Sequence, residues 1–420
     1  MNIINLIFEK IYIKNKIYKM QPNKPESNNH RQKDSLTYVN DFITKLNKKI
    51  LSIPKNSQQT VCKVLSAILD KNKNLMRQYS YEGLPDELPI LRAFLWKILL
   101  NYLPEEHKKW EETLLKQRSQ YNNYKKFIEG RLQLELKEKK YKSKDTLEQI
   151  IKDVYRTNTQ ISFFHEPVNK DKKDKKEEYL KLFEKRKNCT FTDIKDIYYN
   201  EGEDEIHVDV MKRILFIYTY ICQDISYHQG MNELLAPIYY CFSYDQTYQE
   251  ETEENIEADS FWCFYNLMSK VSLSFVSARE KGLDAKSYIF ENCLKFIDEE
   301  IYDKLIQLNI RSEYYCYKWF ILLFSQEFEL NKLLKIWDLI FSHDDIYYYV
   351  TYIGLAIMIM KKDIIIKGEM VDVMQTLQNF EDININELLN KTKELNEKFK
   401  SQLDEFILKT KQIHKEKNSK

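Results

Sequence analysis

Glycine and proline are scarce in this sequence, with only 7 Gly and 8 Pro in 420 residues. Chains built from many short strands need these residues at their frequent turns, so their scarcity argues against a β-sandwich or a barrel. The hydrophobic fraction of 43% is large enough for a substantial core. Apolar residues also recur at helical spacing along much of the chain, and the stretches 286–308 and 313–328 are each expected to form one helix. The sequence therefore predicts an all-α protein with two packed helical lobes and no substantial sheet.

Cysteine motifs for metal binding or disulfide chemistry are also missing. None of the seven cysteines forms a CxxC pair, and no Cys/His cluster has the spacing of a zinc site. An odd number of cysteines, mostly within apolar helical stretches, indicates reduced thiols that act as small hydrophobic side chains. Because reduced thiols are typical of the cytosol, we expect a cytoplasmic protein without a metal site.

The sequence has neither an excess of one charge nor a long apolar run. Its 65 basic and 64 acidic residues give a net charge of +1, so no bulk attraction to nucleic acid is expected. The longest uncharged run, residues 346–360, is shorter than the roughly 20 residues of a membrane-spanning helix. We therefore expect no nucleic-acid partner and no transmembrane segment, while peripheral recruitment to endomembranes stays open.

The two ends of the chain differ from its middle. The apolar residues of the first turns are interrupted by Glu9 and Lys10, and no small-residue cleavage site follows, which argues against a signal peptide. Two interpretations stay open there: an additional amphipathic helix, or translation that starts at Met20 instead of Met1. We expect residues 1–37 to be a poorly ordered extension. Residues 362–420 are amphipathic and helical, and either pack on the body or pair with a partner.

The main domain is expected at residues 38–361, with a charged insertion at about 168–205. Residues 170–178 carry only charged side chains, which predicts a solvated segment. Such a segment buries too little surface to offset the entropy of ordering it, so the insertion is expected to be mobile. Deleting residues 170–178 should then leave activity largely intact. A regulatory or membrane-facing role is the alternative.

Most familiar enzyme motifs are absent. The chain has no GxxxxGK[ST] phosphate loop, no GxGxxG, no GxSxG elbow and no HExxH. An enzyme that binds nucleotide or hydrolyses its substrate alone is therefore poorly supported. Three short constellations remain: RAFLW at 92–96, IIKDVYR at 150–156 and YHQGMNE at 227–233. Each is weak by itself, but they stand in order at a helix start, a helix end and a turn before a helix.

This ordered set resembles the TBC (Rab-GAP) domain family, whose fingerprint motifs are RxxxW, IxxDxxR and YxQ. GLP at 83–85, EAD at 257–259 and IWD at 336–338 add to the resemblance, which covers roughly residues 79–361 outside the insertion. Residues 96–104 and 325–328 are similar to the TBC domain family member 13 subgroup. His228 and Lys318 depart from the residues that are usual in the family, which bears on substrate preference.

The resemblance implies activation of GTP hydrolysis on a Rab-family small GTPase, in the regulation of vesicle traffic. Arg156 matches the arginine finger of the family and Gln229 matches its glutamine finger. The protein would have no cofactor of its own and would act on the GTP and Mg²⁺ bound to the partner. A guanidinium can neutralise the charge that develops on the phosphoryl group, and a carboxamide can align the attacking water.

The remaining motif residues are expected to support these two. Ile150 belongs to a buried stripe, Asp153 and Tyr227 are expected to position the fingers, and Gly230 permits a tight turn beside Asn232.

Arg92 and Trp96 lie one helical turn apart, so the guanidinium can rest on the indole as structural support, with direct contact to the GTPase as the alternative. Considered without the family, Arg156 would be a surface partner of Asp153, and Gln229 a polar loop residue.

The competing function is a non-catalytic TBC scaffold that binds a GTPase or a traffic protein. Retention of both Arg156 and Gln229 favours the catalytic function, because a scaffold needs neither residue.

Overall fold

The computed structural model describes five stretches of the chain: residues 50–138, 144–187, 204–243, 252–276 and 282–418. These stretches contain no β-strand, and their only bridge is an isolated antiparallel pair between Pro167 and Ile206. The prediction of an all-α fold is therefore confirmed. The extension at 1–37, the alternative start at Met20 and residues 188–203 of the insertion lie outside the described residues.

Seventeen α-helices make up the described part of the chain. The first nine are α1 (Lys55–Leu69), α2 (Lys73–Glu82), α3 (Pro89–Leu99), α4 (Trp110–Glu138), α5 (Lys144–Val154), α6 (Lys176–Lys187), α7 (His207–Ile221), α8 (Met231–Ser243) and α9 (Glu253–Val276). The other eight are α10 (Leu283–Ile297), α11 (Glu299–Gln307), α12 (Cys316–Leu322), α13 (Leu330–Phe341), α14 (Ile346–Met360), α15 (Lys362–Lys367), α16 (Met370–Thr376) and α17 (Ile385–Asn418). Short 3₁₀ helices lie at His107–Lys109, Ser162–His165, Lys170–Lys175 and Ser312–Tyr314.

The helices form two packed lobes. In the first lobe, α7 is central and contacts α4, α5, α8 and α9. In the second lobe, α14 packs against α17, which also contacts α10. Helix α13 joins the lobes, because it contacts α2, α3 and α8 on one side and α14 on the other.

The C-terminal region packs on the body of the protein. Three leucines of α17 are buried at helical spacing: Leu388, Leu395 and Leu403. The ring of Phe296 on α10 packs edge-on against Phe399 and Phe406 of α17. Of the two interpretations that the sequence left open, the structure supports packing within the chain.

Two helices that the apolar spacing joined together are interrupted. The expected helix at 286–308 is split into α10 and α11 at Asp298, whose side chain accepts a hydrogen bond from the N–H of Ile301 at 3.1 Å. The expected helix at 313–328 ends with α12, because Leu323 and Phe324 have φ values of 51° and 64°. The carbonyl of Leu323 then accepts a hydrogen bond from the Trp337 indole at 2.9 Å.

The charged insertion is more ordered than expected in its first half. The charged side chains at 174–178 are exposed, as predicted. However, they lead into α6, whose Tyr179 and Phe183 are buried, and Val168 is buried before them. Residues 168–187 therefore bury more surface than their charges indicate, while the mobility of the insertion stays a prediction. The run of charged residues is directly followed by these two aromatic side chains, which lie one helical turn apart.

The described helices give no sign of a membrane span or of a metal centre. None of them is long and apolar enough to cross a bilayer. No group of three or more His, Cys, Asp or Glu side chains in these stretches is arranged to hold a metal ion. Six cysteines of the described stretches are free thiols, and burial raises the pKa of most of them.

Candidate functional site

The second motif occupies the C-terminal end of α5. Ile150 is fully buried on the inner face of this helix, as its apolar stripe predicts. Asp153 is nearly buried in the last turn, and Arg156 follows in a turn where its backbone N–H donates to the Asp153 carbonyl at 3.1 Å. The Arg156 side chain is exposed and forms no hydrogen bond or ion pair with the described residues. The helix end therefore presents a guanidinium to solvent.

The third motif lies in the loop between α7 and α8. Gly230 has a φ of +102°, a value that L-residues rarely adopt. A Cβ at this position would lie 2.7 Å from Cδ2 of Leu322, so a larger residue would be strained by this φ and would also have to displace the leucine methyl group. Gln229 immediately precedes this turn and is exposed. The tight turn thus presents the carboxamide of Gln229 just before α8 begins.

A hydrogen-bond network connects these two loops. The hydroxyl of Tyr227 donates to Oδ2 of Asp153 at 3.0 Å and lies 3.2 Å from Oδ1 of Asn232. Asn232 Oδ1 also accepts from the N–H of Gly230 at 3.1 Å, and its Nδ2 donates to Oγ1 of Thr157 at 2.7 Å. Because the network reaches residues on both sides of Arg156 and of Gln229, it fixes the two loops relative to each other.

The titratable groups of this network lie in a poorly solvated setting. Burial raises the pKa of Asp153, although the Tyr227 hydrogen bond and the charge of Arg156 oppose the shift. Burial, followed by the proximity of Asp153, raises the pKa of Tyr227 well above its ordinary range, so its hydroxyl stays a donor. Burial also raises the pKa of Glu233 to about 7, against hydrogen bonds from Gln326 and Asn232. The Tyr227 hydroxyl and the Asp153 carboxylate are therefore suited to positioning the two loops through their hydrogen bond.

Sequence reasoning missed part of this site. Thr157 directly follows the second motif, and Glu233 is the last residue of the third. The motif pattern assigns no role to either residue. The segment that follows α12 also belongs to this site, because its Gln326 is hydrogen-bonded to Glu233. Next to it, Lys318 Nζ lies 3.3 Å from Oε1 of the buried Glu327. The sequence indicated this segment only through its family resemblance.

The first motif belongs to a different network. Arg92 and Trp96 are buried on α3, and both bind the carboxylate of Asp338 on α13. Arg92 Nε lies 3.1 and 3.0 Å from the two carboxylate oxygens, and Trp96 Nε1 donates to Oδ1 at 2.8 Å. The pair is therefore joined through a shared acceptor, and not by the guanidinium resting on the indole. Such a buried network between two helices supports the structural role expected for this motif.

The fold and the two linked loops define a class of protein. An all-helical chain here presents an arginine after one helix and a glutamine before another, with a buried network between them. The sequence model of the Rab-GTPase-TBC domain family matches residues 160–366, a stretch that contains Gln229 and begins after Arg156.

Relatives extend this match over more of the chain. Mouse TBC1 domain family member 13 is 30% identical over 393 residues, which is 80% of this chain and 96% of that protein. Human TBC1 domain family member 13 is 29% identical over 391 residues, with the same shares of both chains. The chain therefore belongs to the family of TBC-domain Rab GTPase-activating proteins.

A solved structure shows the same fold. The Ypt/Rab-GAP domain of Gyp1p superposes with a TM-score of 0.59, and the match covers 84% of this chain and 96% of that domain. The sequence identity is 19%, so this likeness concerns the fold alone.

Proposed function

We propose that this protein stimulates GTP hydrolysis on a Rab-family small GTPase by supplying Arg156 and Gln229 to the active site of its partner. One observation carries the proposal: both side chains are exposed on loops that are joined by the network of Asp153, Tyr227, Asn232 and Thr157. Membership of the TBC family supports a Rab as the partner.

Arg156 would act on the charge of the transferred phosphoryl group. Its planar guanidinium offers several donors in a fixed arrangement. Donors aimed at developing charge lower the barrier most when they are already in place. An arginine supplied in this way contributes about 10³–10⁵ in rate, which corresponds to roughly 4–7 kcal/mol of activation free energy.

Gln229 would act on the attacking water. A carboxamide both accepts and donates hydrogen bonds, so it can hold a water molecule in line with the bond that breaks. The GTP and the Mg²⁺ belong to the partner GTPase, so the chain needs no cofactor of its own for this role. We propose that it acts in the cytoplasm, with recruitment to endomembranes, in the regulation of vesicle traffic.

Single-turnover GTP hydrolysis on a panel of purified Rabs tests this function. On a Rab that the wild type activates, Arg156→Ala should lower the rate by about 10³-fold or more, while binding of the GTPase is mostly kept. Arg156→Lys should also fail, because a point charge does not reproduce the guanidinium fork. Gln229→Ala should be comparably damaging. The double variant should be little worse than the poorer single variant, because residues that act as a unit are not additive.

A matched control is available on α4. Arg131 is an exposed arginine of that helix, so Arg131→Ala removes the same side chain from a surface without the network and should keep full activity. If Arg156→Ala is folded and accelerates hydrolysis almost normally, the assignment of the arginine finger is wrong. A non-catalytic scaffold would then account better for the chain.

A further inference from the structure

The position of Arg156 depends on its two neighbours in the chain, because its side chain has no bonding partner among the described residues. Thr157 on one side is buried and receives the Asn232 amide at 2.7 Å. Tyr155 on the other side is 3% exposed and directly follows the last turn of α5. Groups that hold Tyr155 therefore also fix the backbone from which the Arg156 side chain extends.

Helix α6 from the charged insertion packs directly on Tyr155. The ring centroids of Tyr155 and Phe183 are 5.2 Å apart, and Phe183 is 1% exposed. On its other side, Phe183 lies against the ring of His165, with a centroid distance of 3.9 Å. Phe183 thus fills the space between the finger-bearing turn and the 3₁₀ helix that follows it.

A second connection between α6 and Tyr155 is polar and indirect, because it passes through Asp209 of α7. The Tyr155 hydroxyl lies 3.3 Å from Oδ1 of Asp209, a buried carboxylate in the first turn of α7. Arg186 of α6 forms an ion pair with the other oxygen of Asp209 and donates to the Asp204 carbonyl at 3.3 Å. Lys212 Nζ, 3.1 Å from Oδ1, completes the neutralisation of this carboxylate. Arg186 therefore helps to fix the acceptor that anchors the Tyr155 hydroxyl.

We propose that helix α6 positions the arginine finger, with Phe183 and Arg186 as positioning residues that act through Tyr155. This inference rests on the proposed role of Arg156. It gives the charged insertion a function in catalysis, although none of its residues needs to touch the GTPase. Deleting residues 170–178 removes the first residues of α6, so we now expect that deletion to lower activity. Displacing a catalytic group by about 1 Å can cost roughly 10²-fold in rate, so a loosened Tyr155 is sufficient to lower activity.

Phe183→Ala tests the apolar contact. We expect kcat for GTP hydrolysis to fall by about 10- to 100-fold, with the KM for the Rab·GTP complex changed by less than about twofold. Leu180→Ala is the matched control, because Leu180 is an apolar residue of the same helix with 49% of its surface exposed. It should keep the wild-type kcat.

Arg186→Ala tests the polar contact and is independent of any cavity at Phe183. We expect a lower kcat with an unchanged KM, and substantial recovery in Arg186→Lys, because a lysine can still pair with Asp209. Lys185→Ala removes an exposed positive charge from the adjacent position and should have no effect. Circular dichroism and thermal melting of each variant establish that it is folded at the assay temperature.

The Arg156→Ala background separates positioning from a general loss of structure. If Phe183 acts through Arg156, adding Phe183→Ala to Arg156→Ala lowers the residual rate no further. An equal loss in both backgrounds, or a folded Phe183→Ala variant with the wild-type kcat, would overturn the proposal.

Activity retained by Arg156→Ala itself would instead refute the proposed function on which it rests. An inactive Arg156→Ala beside fully active Phe183→Ala and Arg186→Ala would refute only the positioning role.

Discussion

At the scale of single residues, the two proposed fingers are exposed while the groups that orient them are buried. Asn232 is central, because its amide contacts Thr157 on one loop and its carbonyl oxygen accepts from Gly230 on the other. A buried amide whose donors and acceptor are all used fixes both loops in one arrangement, since breaking one bond leaves an unsatisfied polar group. The network therefore fixes the backbone from which both exposed side chains extend.

Glu233 should make stability depend on pH. Burial raises its pKa from the ordinary value of 4.5 to about 7, so the folded state holds its proton more tightly than the unfolded chain does. Its stabilising contribution is complete below about pH 4.5 and is lost as the pH rises through about 7. Glu233→Gln has no such group. The Tm of the variant minus that of the wild type should therefore be more positive at pH 8 than at pH 5.

Thermal melts of both proteins between pH 5 and pH 8 measure this difference directly. Comparing variant with wild type cancels the titration of other groups, such as Asp338. A difference in Tm that is the same at every pH would show that Glu233 does not titrate in this range.

At the scale of elements, helical spacing predicted where helices lie better than where they break. The apolar residues of 286–308 continue in phase across Asp298, so their periodicity alone gave no reason to divide the helix. Asp298 is nevertheless the N-cap of α11. Helix α6 is the opposite case, because its charges obscured two buried aromatic residues, Tyr179 and Phe183. The charges of α6 predict a solvated segment, but two buried side chains on one face are enough to pack this helix against its neighbours.

Helix α17 should contribute to stability through its inner face only. Leu403 is fully buried, so Leu403→Ala should lower the free energy of unfolding by about 2–5 kcal/mol. Leu408 lies on the same helix with 61% of its surface exposed. Leu408→Ala should therefore change the free energy of unfolding by less than about 0.5 kcal/mol. Chemical denaturation of both variants checks this pair. Equal effects would mean that α17 does not pack on the body as the structure shows.

At the scale of the whole molecule, Asp338 connects α3 to α13, the helix that joins the two lobes. This carboxylate of α13 binds Arg92 and Trp96 of α3, while Trp96 also packs against Trp337 and Phe341. Burial raises the pKa of Asp338 to about 6, although Arg92 and Trp96 both oppose the shift. Two opposing effects therefore act on this network: desolvation disfavours the ionised Asp338, and the interactions with Arg92 and Trp96 favour it.

Arg92→Ala should lower stability more than it lowers catalysis. The change leaves the buried Asp338 without its guanidinium, which costs about 3–5 kcal/mol. The pKa of Asp338 should rise further, so the loss should be greater at pH 8, where the carboxylate must ionise, than at pH 5. Denaturation at both pH values measures this effect. GTP hydrolysis assayed well below the Tm should fall only as far as the folded fraction falls.

Trp96→Phe is the milder comparison, because it removes one hydrogen bond to Asp338 and keeps an aromatic ring. It should cost about 0.5–1.5 kcal/mol for the hydrogen bond, in addition to any loss of packing. If Arg92→Ala abolished hydrolysis in a fully folded protein, the first motif would have a direct role in the reaction.

The sequence by itself determined the helical class and the order of the three motifs, because both depend on local spacing and on residue type. Both candidate fingers were singled out only by the resemblance of these motifs to the TBC family. Only the tertiary structure decided that Thr157 and Asn232 connect the loops, that Asp338 joins Arg92 to Trp96, and that Phe183 and Arg186 lie behind Tyr155. Asp338 lies more than 240 positions from Arg92 and Trp96 in the chain. Local periodicity carries no information about such pairs, because they arise only when the packing of helices brings distant side chains together.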